Sequence, residues 1–142
     1  MSLTDVRPYF RARLQNLSLV EWTDAFNFEN IPNVKLNNIF HIDTTDFTNV
    51  RYSHANLELD IPVIIRTFKK GFRRLSEGYD DAIEKAESIL KECCKIGNAK
   101  TQTNIKDVKF SSISIDPIAD SNDNIFQITN SFVVNLVLDI DS

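Results

Sequence analysis

Glycine is scarce in this chain, and its scarcity removes whole classes of chemistry. The three glycines, Gly71, Gly78 and Gly97, leave no material for a phosphate-cradling loop, a dinucleotide fingerprint or a G-x-S-x-G elbow. Cysteine is limited to the neighbours Cys93 and Cys94. Their side chains diverge on a helix and no C-x-x-C spacing exists, so neither a disulfide framework nor a redox pair is expected. Cys93 reads as core, Cys94 as a partly shielded thiol, and the compartment as reducing. His41 and His54 are the two histidines. His41 and Asp43 alternate onto one strand face, but no third ligand joins them, so no metal and no cofactor is expected. Glu77, Asp80, Asp81 and Glu84 are acids in the first turns of a helix, where acids are ordinary, and no nucleophile has a positioned base. The chain does not read as an enzyme.

Long apolar runs are missing too. Nothing approaches the roughly 20 residues that cross a bilayer. Asp5, Arg7, Arg11 and Arg13 interrupt any signal-peptide core at the start, so an intracellular protein without a membrane partner is expected. Four prolines and three glycines leave no low-complexity tract. At 142 residues, 42% hydrophobic and 25% charged, the composition is that of one globular domain, 1–142. A net charge of −4 and a pI near 5.1 exclude a general nucleic-acid binder. The charge is nevertheless uneven. Arg66, Lys69, Lys70, Arg73 and Arg74 gather around one turn, whereas Asp107, Asp116, Asp120, Asp123, Asp139 and Asp141 face a single Lys109 in the last segment. Such asymmetry suits head-to-tail self-association.

What is present is organised around 56–97. Leu57, Leu59, Ile61, Val63, Ile65 and Thr67 alternate with Glu58, Asp60, Pro62, Ile64 and Arg66, the period of a strand with one buried face. Pro62 has no N–H, which predicts an edge position or a bulge there. A basic turn, FKKGFRR, follows. Ser76 then offers an N-cap to a helix over about 76–96 whose apolar face is Tyr79, Ala82, Ile83, Ala86, Ile89, Leu90 and Cys93, with Gly97 at its C-terminal end. A first helix over about 4–16, capped by Thr4, carries the stripe Val6, Phe10, Leu14, with Pro8 in its first turn. The aromatic segment 21–33 (Trp22, Phe26, Phe28, Ile31) is broken by Asn, Asp and Pro, and must pack on the core or in a partner. Val34, Leu36, Phe40 and Ile42 share one strand phase, and 43–54 reads as a polar loop. A polar linker over 98–106 leads to two antiparallel closing strands. In the first, over 108–116, Val108 and Phe110 change phase to Ile113 and Ile115, placing a bulge at Ser111–Ser112. The second is 126–140. The class is α+β: a mostly antiparallel sheet of four to five strands packed against two helices.

The order DVRPYFRARL, FNFENIPN, a strand ending FHI, LELDIPVIIRTFKKGFRR running into YDDAIEKAESIL, and two closing strands resembles the tail terminator (tail completion) proteins of long-tailed bacteriophages, the group that includes the lambda tail terminator. The resemblance implies an α+β subunit of a homo-oligomeric ring, hexameric in the best-known cases. The ring sits on the finished tail tube, halts its polymerisation and offers a head-joining surface. The implied partners are further copies of the chain, the tail tube protein and the head–tail connector protein. DNA would pass through an acid-lined lumen without specific binding. The implied location is the virion tail at its head-proximal end, after synthesis in the host bacterial cytoplasm. Candidate interface residues are Arg66, Lys69, Lys70, Phe72, Arg73 and Arg74 of the basic turn, Phe26, Phe28 and Ile31 of the aromatic segment, and Phe47 and Tyr52 of the polar loop. A connector or other minor tail protein is the near alternative. A cytosolic small-ligand domain or small enzyme, with Trp22 to Phe28 as a pocket wall, is the distant one.

Overall fold

The computed structural model describes residues 6–22, 37–44, 48–53, 56–70, 75–95, 105–118 and 125–139. Two helices, α1 (Val6–Gln15) and α2 (Leu75–Cys93), accompany six strands: β1 (Val20–Glu21), β2 (Ile39–Asp43), β3 (Thr48–Ser53), β4 (Asn56–Lys70), β5 (Ile105–Pro117) and β6 (Ile125–Asp139). The strands form one sheet in the order β1-β2-β4-β6-β5, with β3 also paired to β4. All pairings are antiparallel except that of β1 with β2. The fold is α+β. The sheet exceeds the expected four to five strands because β1 is only two residues long and β3 arises within the segment that reads as a polar loop. Val50, Arg51 and Tyr52 are all exposed, so these positions give hydrophobic periodicity no buried stripe to reveal.

Strand β4 is not an edge, and this corrects the expectation drawn from Pro62. Along one side it pairs with β6 without a register shift, from Asn56↔Asp139 to Lys70↔Ile125. Along the other side two strands share it: β3 takes Asn56 to Asp60 and β2 takes Ile64 to Thr67. Pro62 falls in the gap between them, where a missing N–H costs no ladder bond on that side. A central strand can therefore carry a proline without a bulge.

The register places Leu59, Ile61, Val63, Ile65 and Thr67 beside Leu136, Val134, Phe132, Asn130 and Ile128, with Phe40 and Ile42 of β2 on the same face. All of these are buried. Both helices cover this face. α1 contributes Val6, Tyr9, Phe10 and Leu14, with Phe10 and Phe132 ring centroids 5.6 Å apart. α2 contributes Ala82, Ala86, Ile89 and Cys93. Each large side chain so buried stabilises the fold by about 1.5–3 kcal/mol. Ala82 and Ala86 are small, which lets α2 lie close over Phe126 and Ile128. Ser76 falls inside the first turn of α2 rather than before it, because the helix begins at Leu75.

Cys93 is buried and Cys94 half-buried, both free. The β5 register shifts between Phe110 and Ser112, the bulge that the phase change implies. The opposite sheet face is polar over most of its area. At one end it carries a small apolar cluster of Ile39, Phe68 and Ile125 with Trp22 and Ile118. Trp22 is thus packed, while Phe26, Phe28, Ile31, Val34 and Leu36, the cap Thr4 and the linker at 98–104 lie outside the described residues.

Candidate functional site

Four of the eleven candidate interface residues fall among the described ones. Arg66 and Lys70 lie on the polar face of β4, and Lys69 on the helix-covered face, as the alternation of a strand requires. Arg66 reaches Asp43 at 3.5 Å, and the Lys70 backbone N–H donates to Asn37 Oδ1 at 2.6 Å. The strand portion of the basic cluster is therefore divided between the two faces. Tyr52 stands on β3 with 76% of its surface exposed. Phe72, Arg73, Arg74, Phe26, Phe28, Ile31 and Phe47 lie outside the described residues.

The two flanks of α2 differ in chemistry. At 100° per residue, Ala82, Ala86, Ile89 and Cys93 point to the sheet and Asp81, Lys85, Ser88 and Glu92 turn to one side. That side is fastened. Lys85 Nζ donates to the Phe68 carbonyl at 2.6 Å and to the Asn37 carbonyl at 2.8 Å, tying α2 to β4 and to the start of β2. Asn16 Nδ2 donates to Glu92 Oε1 at 3.2 Å, and Tyr9 Oη donates to the Cys93 carbonyl at 3.0 Å, tying α2 to α1. Burial, with Lys69 nearby, lowers the Lys85 pKa to about 8. Burial chiefly, and then the neighbouring Cys93, raises the Tyr9 pKa to about 12. Burial likewise pushes the Cys93 thiol up, which makes it an inert core side chain. Lys85, Lys69, Asp81 and Glu84 line an open hollow of about 420 Å³. With two carbonyls already accepting from it, Lys85 is a fastening rather than a nucleophile.

On the polar face a row of side chains crosses four strands. Arg51 of β3 bonds Glu58 and Asp60 of β4 at 3.3 and 3.4 Å. Asn135 Nδ2 of β6 donates to Asp60 at 2.9 Å, and Lys109 of β5 lies 4.0 Å from Asp107. These residues line a groove of about 370 Å³ whose charges largely compensate. Farther along the same face, His41 is opposite Arg66 in the β2–β4 register. Burial first and Arg66 second lower its pKa, against the pull of Asp43. Among the described residues no three His, Cys, Asp or Glu side chains group to hold a metal. No helix among them is long and apolar enough to cross a membrane.

The other flank of α2 carries Tyr79, Ile83 and Leu90 and faces β5, the strand beyond β6. Tyr79 and Ile83 were expected on the buried face, yet each is 43% exposed, because the apolar arc of α2 is wider than the sheet contact beneath it. On β5, Phe110 and Ile113 of the same sheet face are 45% and 36% exposed. Ile115 packs on Ala82, Ala86, Phe126 and Ile128 at the bottom. The result is an apolar furrow that runs between α2 and β5 and opens at the outer edge of the sheet. Among the described residues that edge of β5 has no partner strand, and neither does the outer edge of β3. Long unpaired edges template the addition of another strand. Periodicity located Tyr79, Ile83, Phe110 and Ile113 as apolar but not as uncovered. The missing signal is the position of β5 at the sheet edge, which depends on long-range pairing.

A scan of known protein families gave no match to this chain, and no curated protein matched it.

Proposed function

We propose that this chain is a structural subunit of a long-tailed bacteriophage that assembles with copies of itself into a ring on the end of the tail tube. The ring stops tube polymerisation and presents the surface that joins the head, with the tail tube protein on one side and the head–tail connector on the other. DNA passes through its lumen without specific binding, and the role involves no bond-making chemistry. The subunit is made in the host cytoplasm and resides in the virion. The observation that carries this reading is the pair of edges on opposite sides of one sheet, β3 and β5, that have no partner strand among the described residues, each with exposed apolar side chains. A subunit built in this way can join its neighbours head to tail, and a heterologous contact of that kind closes into a ring when its rotation permits. The α+β fold also agrees with the architecture that the resemblance to tail terminators implies.

The test is the mass of the purified chain by light scattering, alone and with magnesium, with negative-stain imaging and the length of tail tubes grown in its presence. Closed rings and tubes of arrested length are expected. A strict monomer that leaves tube length unchanged would overturn the reading, and attachment to head vertices in place of tube ends would make the protein a connector.

A further inference from the structure

The furrow and the edge of β5, which has no partner strand among the described residues, form one continuous feature, and three observations say what fits there. The first is hydrogen-bonding geometry. The outer edge of β5 offers a row of backbone groups over Ile105–Pro117, to which another extended segment can add as a further strand. The second is apolar complementarity within the chain itself. Tyr52 is opposite Leu57 in the β3–β4 register, which places it on the helix-covered face, the face onto which the furrow opens. With Val50 it leaves large apolar area in solvent at the far edge of the same sheet. The third is charge. Arg51 is opposite Glu58 and lies on the polar face, with 48% of its side chain exposed. Asp107 and Asp116 of β5 lie on that same face, opposite Asn135 and Gln127.

We propose that the free edge of β5 receives strand β3 of a second copy of this chain. The two sheets then run on as one, Tyr52 of the incoming copy occupies the furrow beside Ile113, and its Arg51, which also bonds Glu58 and Asp60 of its own copy, comes alongside Asp116 on the polar face. Each subunit has one β3 edge and one β5 edge on opposite sides of its sheet, so the contact repeats head to tail. The inference deepens the ring reading and rests on it, because that reading supplies the closure.

The experiment uses the full chain with Cys94→Ser as background, leaving the buried Cys93 in place. Tyr52→Cys and Phe110→Cys are prepared separately and treated with a short bismaleimide, alone and mixed. A dimer band that forms only in the mixture is expected. A band from Phe110→Cys alone would mean symmetric β5–β5 pairing and would overturn the β3 assignment. In parallel, Ile113→Lys is expected to weaken self-association at least tenfold by light scattering with an unchanged circular dichroism spectrum, while Ile113→Val retains the wild-type mass. Rings that persist in Ile113→Lys would remove the β5 edge from the interface and leave the ring reading intact. A wild-type chain that stays monomeric and has no effect on tail tubes would overturn both.

Discussion

The two flanks of α2 are built from the same helix over the same sheet, yet one is closed and the other open. On the closed flank, polar side chains spend their hydrogen bonds within the subunit: Lys85 on two carbonyls, Glu92 on Asn16, and next to them the Cys93 carbonyl on Tyr9. On the open flank, Tyr79 and Ile83 stand half in solvent beside Phe110 and Ile113. Directional bonds fix one geometry, whereas apolar contact accepts any complementary surface. A monomer that needed α2 only for its own stability would gain by reversing the open flank's chemistry. Its apolar character is what the proposed contact with a second copy would cover.

Breaking the seam between the flanks should have the largest effect. Ile89, on the sheet-facing side of α2, is fully buried, and Ile89→Ala is expected to cost roughly 2–5 kcal/mol in chemical denaturation. A loss below 1 kcal/mol would mean that α2 is loosely held.

An intermediate effect belongs to the closed flank and depends on pH. The folded pKa of Lys85 is about 8, below its ordinary value of 10.5. Below about pH 8 both the folded and unfolded states hold the proton and the slope is zero. Between there and 10.5 the unfolded state binds more protons, so stability rises with pH. The rise approaches about 1.4 kcal/mol per pH unit. Against it, Cys93 ionises in the unfolded chain above its ordinary value of 9.0, and Tyr9 above 10.0, while both stay neutral in the fold. Stability measured by urea titration should therefore climb between pH 8 and 9 and turn over at higher pH. Lys85→Met should abolish the climb, and a climb that survives would assign it to another group.

The smallest effect is expected on the open flank. Ile83→Ser should change monomer stability by no more than about 0.5–1 kcal/mol, because nearly half of the side chain is already in water. A larger loss would show that the furrow is part of the subunit's own core.

Much of this architecture was legible where local pattern determines it. The alternation from Leu57 to Thr67, the Val6, Phe10, Leu14 stripe, the buried arc of α2 and the phase change at Ser111–Ser112 each depend on a few neighbouring residues, and each is realised. The misreadings share a different cause. Pro62 implies an edge or a bulge, but two strands divide that side of β4 and leave the proline in the gap. Tyr79 and Ile83 share the apolar period of α2 yet are exposed, because periodicity reports which way a side chain points, not whether anything lies there. Lys85 carries no local signal, since its two acceptor carbonyls come from β4 and from Asn37 just before β2, distant in sequence. Of the candidate site, Tyr52 was visible as a large apolar residue in polar surroundings. The β5 edge was not, because being an edge is a property of the whole sheet.

The buried Asn130 has a mechanical consequence. Its side-chain amide donates to the Ala86 carbonyl at 3.1 Å, one residue from Lys85, whose own anchor is on β4. Neighbouring residues of one helix are thus pinned to two different strands. A single pin would leave α2 able to pivot about it, but two pins on separate strands block both rotation and the one-turn slide of about 5.4 Å that packed helices can make. The helix acts as a rigid bar across β4 and β6. A load applied to Tyr79 or Ile83 is passed into the sheet rather than absorbed by movement of the helix.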